Sequence, residues 1–202
     1  MVSDWRILTI GNITRNRFWG EGDEKPLRSV LCTSTLIKTE DRWLLIDPAE
    51  EPDAMRLTLD RRAGIHPEDI SAVFITHHHG DHCMGLSAFP GAKIFMPSDE
   101  AALSGLTGIA QACDGDEIAP GVRVVALPGH TDGLCGVVFN AAEGTVLVAG
   151  DAVMTRDFFA ARVGYYNSVD FAACAQTHEK IAAIADVVVP GHDNYFLVKA
   201  TK

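Results

Sequence analysis

Short apolar runs alternate with polar turns that contain glycine, proline or aspartate, and this pattern predicts a mixed α/β fold. The runs predict strands over residues 2–10, 30–38, 42–46, 70–75, 93–96, 122–127, 136–140, 145–149 and 186–189. The sequence contains no internal repeat and no linker, so we expect one domain that spans residues 1–202.

Helical patterns occupy a smaller part of the chain. A helix is predicted over 53–63, ended by Gly64, and another over 99–106, with Ser98 as its N-cap. Residues 82–89 can form one or two helical turns. After Asp170, apolar positions recur at three- and four-residue steps and predict a helix that carries His178 on its apolar face. A packed histidine is therefore favoured over a metal ligand at His178.

Four histidines and an aspartate lie within six residues, directly after the strand predicted at 70–75. They are His77, His78, His79, Asp81 and His82. Imidazole and carboxylate are the usual ligands of zinc, and leaving them unpaired in a buried position is costly. In an extended segment, His77 and His79 point to the same side and can reach one ion. A turn at Gly80 would let Asp81 and His82 serve a second ion.

Three later strand ends are also followed by a glycine and then by a side chain that can bind metal. These side chains are His130, Asp151 and His192. The sequence therefore predicts two ligand sets that share one bridging carboxylate. The first contains His77, His79 and His130, the second contains Asp81, His82 and His192, and Asp151 is the bridge. Three or four protein ligands per ion leave a position for water, which is typical of a catalytic site.

Composition narrows the class of partner. The net charge of −10 argues against nucleic acid, because phosphate contacts need a surplus of Lys and Arg. No apolar run approaches the roughly 18 residues that span a bilayer, so no membrane partner is expected. We therefore expect a small-molecule substrate, and the sequence leaves a homo-oligomer open.

The N-terminus lacks the features of a secretory signal, and the five cysteines form no Cys-x-x-Cys pair. Both observations favour a cytoplasmic chain with reduced thiols. Cys83 follows His82 directly, and packing is favoured over a metal contact for it.

The segment from Thr76 to His82, followed by His130, Asp151 and His192, resembles the metallo-β-lactamase-fold hydrolase superfamily over nearly the whole chain. The resemblance implies an αββα sandwich of two mixed β-sheets with helices on the outer faces, and a dinuclear centre at one edge. It implies two zinc ions, although iron or manganese would also suit the ligands. It also implies an aspartate that orients a ligand by accepting an imidazole N–H, a position that Asp47 matches.

The sequence departs from the patterns of several branches of that superfamily, and these departures narrow the class of substrate. Zinc β-lactamases of the best-known type have arginine where His82 stands and cysteine where Asp151 stands, so antibiotic hydrolysis is not expected. Flavin-dependent di-iron relatives have glutamate in place of His79. Glyoxalase II has a C-terminal part that grips glutathione, whereas only about 50 residues follow Asp151 here. RNA-processing relatives need basic insertions. A compact hydrolase of a lactone, a thioester or a small ester remains.

Three other readings stay open. A mononuclear iron oxygenase similar to the persulfide dioxygenases would use His77, His130 and Asp151 alone. A phosphodiester hydrolase on the same fold would need cations beyond the metals, and Arg156 and Arg162 are the nearest candidates in the sequence. A non-catalytic member that uses the fold for binding is the third.

Three residues are expected to act on the substrate. Asp81 would orient the nucleophile or carry its proton to the leaving group. Tyr165 and Tyr166 would donate to the oxyanion, although half-buried packing explains tyrosines there equally well. Two segments have roles that the sequence leaves undecided: Phe158 and Phe159 suit either an acyl-binding wall or the core, and the loop at Phe18 and Trp19 either closes over a substrate or folds back onto the body.

Overall fold

The computed structural model describes residues 2–22, 24–40 and 42–198, and the ends of the predicted 1–202 domain, Met1 and residues 199–202, lie outside them. Six strands form the first sheet, in the order β1-β2-β3-β4-β5-β6. They are β1 (Val2–Thr9), β2 (Ser34–Thr39), β3 (Arg42–Ile46), β4 (Ile70–Phe74), β5 (Lys93–Pro97) and β6 (Ala110–Ala112). The pairs β1·β2 and β2·β3 are antiparallel, whereas β3 to β6 run parallel, so the sheet is mixed.

Six more strands form the second sheet, in the order β12-β11-β10-β9-β8-β7. They are β7 (Glu117–Ala119), β8 (Val122–Ala126), β9 (Cys135–Ala141), β10 (Gly144–Gly150), β11 (Val187–Pro190) and β12 (Phe196–Leu197). Only β10·β11 is a parallel pair. Because β8 and β10 are both antiparallel to β9, the strands β8, β10 and β11 all end at the same edge.

Helices cover the outer faces of both sheets. They are α1 (Pro52–Ala63), α2 (Gly80–Cys83), α3 (Ser98–Ser104), α4 (Arg156–Ala161) and α5 (Phe171–Ile184). Met55 and Leu59 of α1 pack on the first sheet, and Phe159 of α4 and Ile181 of α5 pack on the second. The predicted αββα sandwich of two mixed sheets is confirmed.

The period of two in the strands separates the layers. In β3, Leu44 and Ile46 face the second sheet, while Leu45 between them faces α1. Phe74 of β4 and Val137 of β9 lie in the same layer between the sheets. Each such buried side chain contributes roughly 1.5–3 kcal/mol relative to an exposed one. This core fixes the strand ends, and the strand ends carry the polar cluster.

Element boundaries follow local signals. Helix α1 ends at Gly64, whose φ of 66° is left-handed, and Asp170 caps α5 by accepting from the N–H groups of Ala172 and Ala173. The N-cap predicted at Ser98 is wrong, since Pro97 occupies that position and Ser98 is the first helical residue. The patterns missed β6, β7, β12 and α4. The three strands have only two or three residues, and α4 has fewer than two helical turns, so none is long enough to show its own period. No helix in the described part of the chain is long and apolar enough to cross a bilayer.

Candidate metal centre

One edge of the sandwich collects the strand ends that carry the polar side chains. The segment after β4 brings His77 and His79, and α2 brings Asp81 and His82. His130, Asp151 and His192 follow β8, β10 and β11. The parallel direction of these strands places distant parts of the sequence together, as predicted.

Three imidazoles converge in the first half of the cluster. His79 Nδ1 lies 2.9 Å from His77 Nε2 and 3.1 Å from His130 Nε2. With Asp151, these residues offer ligand atoms that all lie within 4.8 Å of one another. Three ring nitrogens directed at a common point are the arrangement that an ion with imidazole ligands requires.

The second half contains Asp81, His82 and His192, whose ligand atoms also lie within 4.8 Å of one another. His192 Nε2 lies 3.5 Å from Asp81 Oδ2, and His82 Nε2 lies 3.9 Å from the same oxygen. The structure therefore assembles two sets of donors, divided as the sequence predicts.

Asp151 lies between the two sets. Its Oδ2 is 3.3 Å from His130 Nε2, and its Oδ1 is 3.1 Å from the Nε2 atoms of His82 and His192. Among the described residues, Asp151 Oδ1 and His82 Nε2 are buried without a hydrogen-bond partner. Buried polar atoms that face one another without hydrogen bonds are costly unless something else satisfies them. The donor set therefore fits divalent metal ions, with the Asp151 carboxylate reaching both positions.

Two glycines make room for Asp151 to lie close to the neighbouring strand ends. Gly150 has a left-handed φ of 52°, and a Cβ there would lie 2.6 Å from Thr76 Oγ1. A Cβ on Gly191 would lie 2.0 Å from Asp151 Oδ1. The glycines that precede the predicted ligands are thus required by the close packing of the strand ends.

Each imidazole of the second half is oriented through its other nitrogen. Asp47 Oδ2 accepts from His82 Nδ1 at 2.9 Å, which is the contact expected for Asp47. His192 Nδ1 lies 3.0 Å from the carbonyl of Asn12 and 2.9 Å from that of Leu31. These contacts place the proton on Nδ1 and leave Nε2 of each ring for the site.

Glu100 is a buried residue that the sequence analysis missed. Its carboxylate accepts from the N–H of His78 at 3.0 Å, from Thr131 Oγ1 at 2.6 Å and from the N–H of Gly133 at 3.1 Å. It also contacts the ring of His78, which is thereby turned away from the cluster. Glu100 ties the loop that carries His77 and His79 to the loop that carries His130. Its place in α3, just beyond the end of β5 at the same edge, is the signal that could have indicated it.

Burial controls the protonation of the first half. It lowers the pKa of His77 well below the ordinary value of 6.5, and it lowers the pKa of His79. It lowers the pKa of His130 to about 4. These rings are therefore neutral near pH 7, the form that binds metal.

Neighbouring acidic groups raise the pKa values of the two imidazoles in the second half. Burial acts to lower the pKa of His82 and of His192, yet both are raised above 6.5. Cys32, Asp151 and Asp47, in that order, raise the pKa of His82, and Asp151 raises the pKa of His192. Burial acts to raise the pKa of Asp151, but the surrounding imidazoles hold it well below its usual range.

The two tyrosines lie beside the cluster. The hydroxyl of Tyr165 donates to the carbonyl of Arg15 at 2.9 Å and lies 2.9 Å from Thr14 Oγ1. Its proton thus holds the loop after β1, which argues against the oxyanion role expected for Tyr165. Tyr166 is 73% exposed, and its oxyanion role stays a prediction.

Cavities lie on both sides of the cluster. A small one of 130 Å³ contains His79, Asp81, Asp151 and His192 in its wall, and Thr14, Tyr165 and Tyr166 border both it and a cavity of 610 Å³. On the other side of His79 and His130 lies a cavity of 500 Å³.

The cations that line the neighbouring cavity differ from those expected. Arg15 and Arg17 line the cavity of 610 Å³, which neither Arg156 nor Arg162 does. The guanidinium of Arg162 pairs instead with Glu179, 2.6 Å away. Sequence reasoning missed the two arginines because they lie far from the ligands along the chain.

The segments left undecided by the sequence have structural roles. Trp19 Nε1 donates to Asp157 at 2.8 Å and the ring of Phe18 packs edge-on against Phe158, so this loop folds back onto α4. Phe158 packs in a small hydrophobic cluster and also lines the cavity of 610 Å³. Phe159 packs in the layer between the second sheet and its helices.

His178 and Cys83 are packing residues in the structure, the role that the sequence favours for both. Nε2 of the buried His178 lies 2.8 Å from the carbonyl of Ala152. Cys83 Sγ contacts the carbonyls of His79 and Gly80 and belongs to no set of potential ligands among the described residues.

Comparison with known proteins gives a consistent family. The sequence model of the metallo-β-lactamase superfamily matches residues 28–97. The chain is 37% identical over 144 residues to human metallo-β-lactamase domain-containing protein 1, a match that covers 67% of this chain and 52% of that protein. It is 27% identical over 153 residues to an N-acyl homoserine lactonase of Bacillus cereus, which covers 68% of this chain and 61% of the lactonase. The chain spans about half the length of the human relative it matches.

A solved structure shares the whole fold. It is that of a Bacillus thuringiensis AiiA variant with N-decanoyl-L-homoserine bound at the active site. The two superpose with a TM-score of 0.75 over 96% of this chain and 94% of that chain, at 19% identity. At that identity the likeness shows the fold alone.

Proposed function

This chain belongs to the metallo-β-lactamase superfamily, and we propose that it hydrolyses a small ester, lactone or thioester with two zinc ions held by its histidine–aspartate cluster. Members of the superfamily are generally hydrolases, and the relatives include an N-acyl homoserine lactonase. The cluster in this chain can hold metal.

One observation carries the proposal: two complete sets of donors share the Asp151 carboxylate. His77, His79 and His130 would hold one ion. Asp81, His82 and His192 would hold the other. A single ion in the first set would leave the buried His82 Nε2 without a partner among the described residues, at the cost that unpaired buried polar groups carry.

Different residues of the chain would have different roles in acyl hydrolysis. When bound, the ions supply Lewis acidity, which lowers the pKa of a water molecule and polarises the acyl oxygen. Asp151 fixes the separation of the two positions. Asp81 is only partly buried and borders the small cavity, so its carboxylate can orient the attacking water and carry the proton to the leaving alcohol or thiol.

The surroundings favour an acyl substrate over a phosphodiester. Beside the donors, the wall of the 610 Å³ cavity contains apolar and aromatic groups together with three charged residues. The apolar and aromatic groups include Leu27, Phe158, Tyr166 and Phe171. A phosphodiester as part of a nucleic acid would need a run of cations, and the net charge is −10. An acyl chain or ring suits this wall better.

The test is a panel of lactones, thioesters and phosphodiesters with the zinc-loaded protein. We expect kcat/KM for the best acyl substrate to exceed that for any phosphodiester. Phosphodiesters turned over about a hundredfold faster, a difference of ~2.7 kcal/mol in transition-state free energy, would contradict the acyl assignment but not the metal centre.

A further inference from the structure

The cavity of 610 Å³ is a compartment next to the donor cluster, with a volume in the range of small-molecule sites. Thr14, Tyr165 and Tyr166 line both this cavity and the small one that contains the candidate ligands. A substrate with its acyl carbon at the donors would therefore extend past the two tyrosines into this space. The wall of the cavity then decides which substrates fit.

The charged groups of this wall are Arg15, Arg17 and Glu21. Glu21 is already neutralised, since its Oε2 accepts from Arg28 Nη2 at 2.7 Å and from the N–H of Asn16 at 2.7 Å. The hydrogen bond from Arg28 lowers the pKa of Glu21, which keeps the ion pair formed. Arg17 places a positive charge in this wall, in a chain with a net charge of −10.

Arg17 is held in place without a carboxylate. Its guanidinium lies 5.1 Å from the ring centre of Phe18 and 5.3 Å from that of Phe158. Within the part of the chain that the structure describes, no Asp or Glu forms an ion pair with it. Contact with both rings, which pack edge-on against each other, limits the rotamers of this exposed side chain and leaves its N–H donors for another partner.

The loop that carries Arg17 is itself fixed. Asn16 caps the short turn by accepting from the N–H of Phe18 at 2.9 Å, and Trp19 Nε1 donates to Asp157 at 2.8 Å. The backbone on the other side of the cavity is tied down by Tyr165, which donates to Arg15. The guanidinium is therefore prepared before a ligand arrives, which lowers the entropy cost of binding.

We propose that this cavity binds the non-reacting end of an acyl substrate that carries a carboxylate, with Arg17 as the residue that binds it. One stacked guanidinium matches a single carboxylate in charge and in planar geometry. Phe158, Tyr166 and Phe171 hold the chain between the carboxylate and the scissile bond. The inference rests on the proposed acyl hydrolysis and names its substrate class.

The test compares three para-nitrophenyl esters whose acyl chains end at the same position: the monoester of hexanedioic acid, the hexanoate and the 5-trimethylammonio-pentanoate. With zinc-loaded wild type, we expect kcat/KM to be at least about tenfold higher for the carboxylate than for the neutral ester, and lowest for the cation. Arg17→Gln should reduce the carboxylate preference to about threefold or less. Arg17→Lys keeps the charge but not the planar fork, so its preference should lie between those of wild type and Arg17→Gln. Arg61→Gln is the matched control, an exposed arginine on α1 outside the cavity.

A binding measurement separates this inference from the proposed function. Hexanedioic acid monoamide, titrated calorimetrically into wild type, Arg17→Gln and Arg61→Gln, should bind more weakly only to Arg17→Gln. Binding that depends on Arg17 without hydrolysis of any ester would support the carboxylate subsite and contradict the hydrolase. Hydrolysis with the same carboxylate preference in wild type and Arg17→Gln, or with no preference in wild type, would overturn the subsite and leave the hydrolase standing.

Discussion

The two halves of the donor cluster are built differently. In the half formed by His77, His79 and His130, burial holds the rings neutral, and His130 Nδ1 has no hydrogen-bond partner among the described residues. In the half formed by Asp81, His82 and His192, acceptors orient both rings, and carboxylates raise their pKa values.

This difference predicts two ion positions with different properties. The first half is ready to bind metal near neutral pH without releasing protons. The second must lose protons as the ion binds, but both of its rings have an acceptor at Nδ1, which His130 of the first half lacks within the described part of the chain. The Asp151 carboxylate contacts histidines of both halves, so a change at Asp151 should affect both strongly. A change at a residue that mainly supports one half should affect that half more than the other.

The largest effect is expected for Asp151→Ala. Removing the carboxylate takes a ligand from both positions, so turnover should fall by at least about 10³-fold and at least one ion should be lost. Circular dichroism should stay near that of wild type, since the backbone at Gly150 and Asp151 is held by strand ends. Near-normal turnover with two ions bound would show that Asp151 is not the bridge.

A pair of substitutions should separate the halves. Asp47→Asn replaces the carboxylate that orients His82 directly and reaches His77 only through Thr76. We therefore expect about 10–100-fold weaker binding of the second ion and a smaller loss at the first. Zinc titration of the metal-free protein against a competing chelator measures both affinities.

Glu100→Gln is the counterpart for the first half. The amide can no longer accept from all of His78, Thr131 and Gly133, so the loops around His79 and His130 should loosen. We expect about tenfold weaker binding of the first ion in the same titration. Equal losses at both positions in either variant would argue against two independently supported halves.

As the pH falls, the second half should lose its ion before the first half does. Because the pKa values of His82 and His192 are raised, protons compete for these rings at a higher pH than for His77 or His130. As the pH falls below neutral, we expect a state with one ion per chain before the metal-free state. Elemental analysis after dialysis at a series of pH values tests this, and simultaneous loss of both ions would contradict it.

The smallest effect concerns His178, which lies outside the cluster. Burial lowers the pKa of His178 below 6.5, so its ring binds a proton more weakly in the folded chain than in the unfolded chain. The free energy of unfolding should therefore fall as the pH drops below about 6.5, and His178→Gln should lessen that fall in metal-free protein. Chemical denaturation at several pH values measures it, and equal pH slopes in wild type and variant would disprove it.

The sequence predicted the cluster well because its ligands follow strand ends, and the strands are long enough to show their pattern. Leu45 and Val73 mark β3 and β4, whose ends deliver Asp47 and His77 to one edge. Glu100 and Arg17 could not be found in this way. Their roles depend on which loops fold together, and the local sequence around a short helix or a turn does not contain that information.

The most direct test of the account is the number of ions needed for turnover. Metal-free protein would receive zinc in fractions of an equivalent, with elemental analysis and hydrolysis of the best acyl substrate measured at each step. The account predicts two ions per chain at full activity and little activity with one, because the two sets of donors share Asp151. Full activity with a single ion per chain, and with iron in particular, would contradict it.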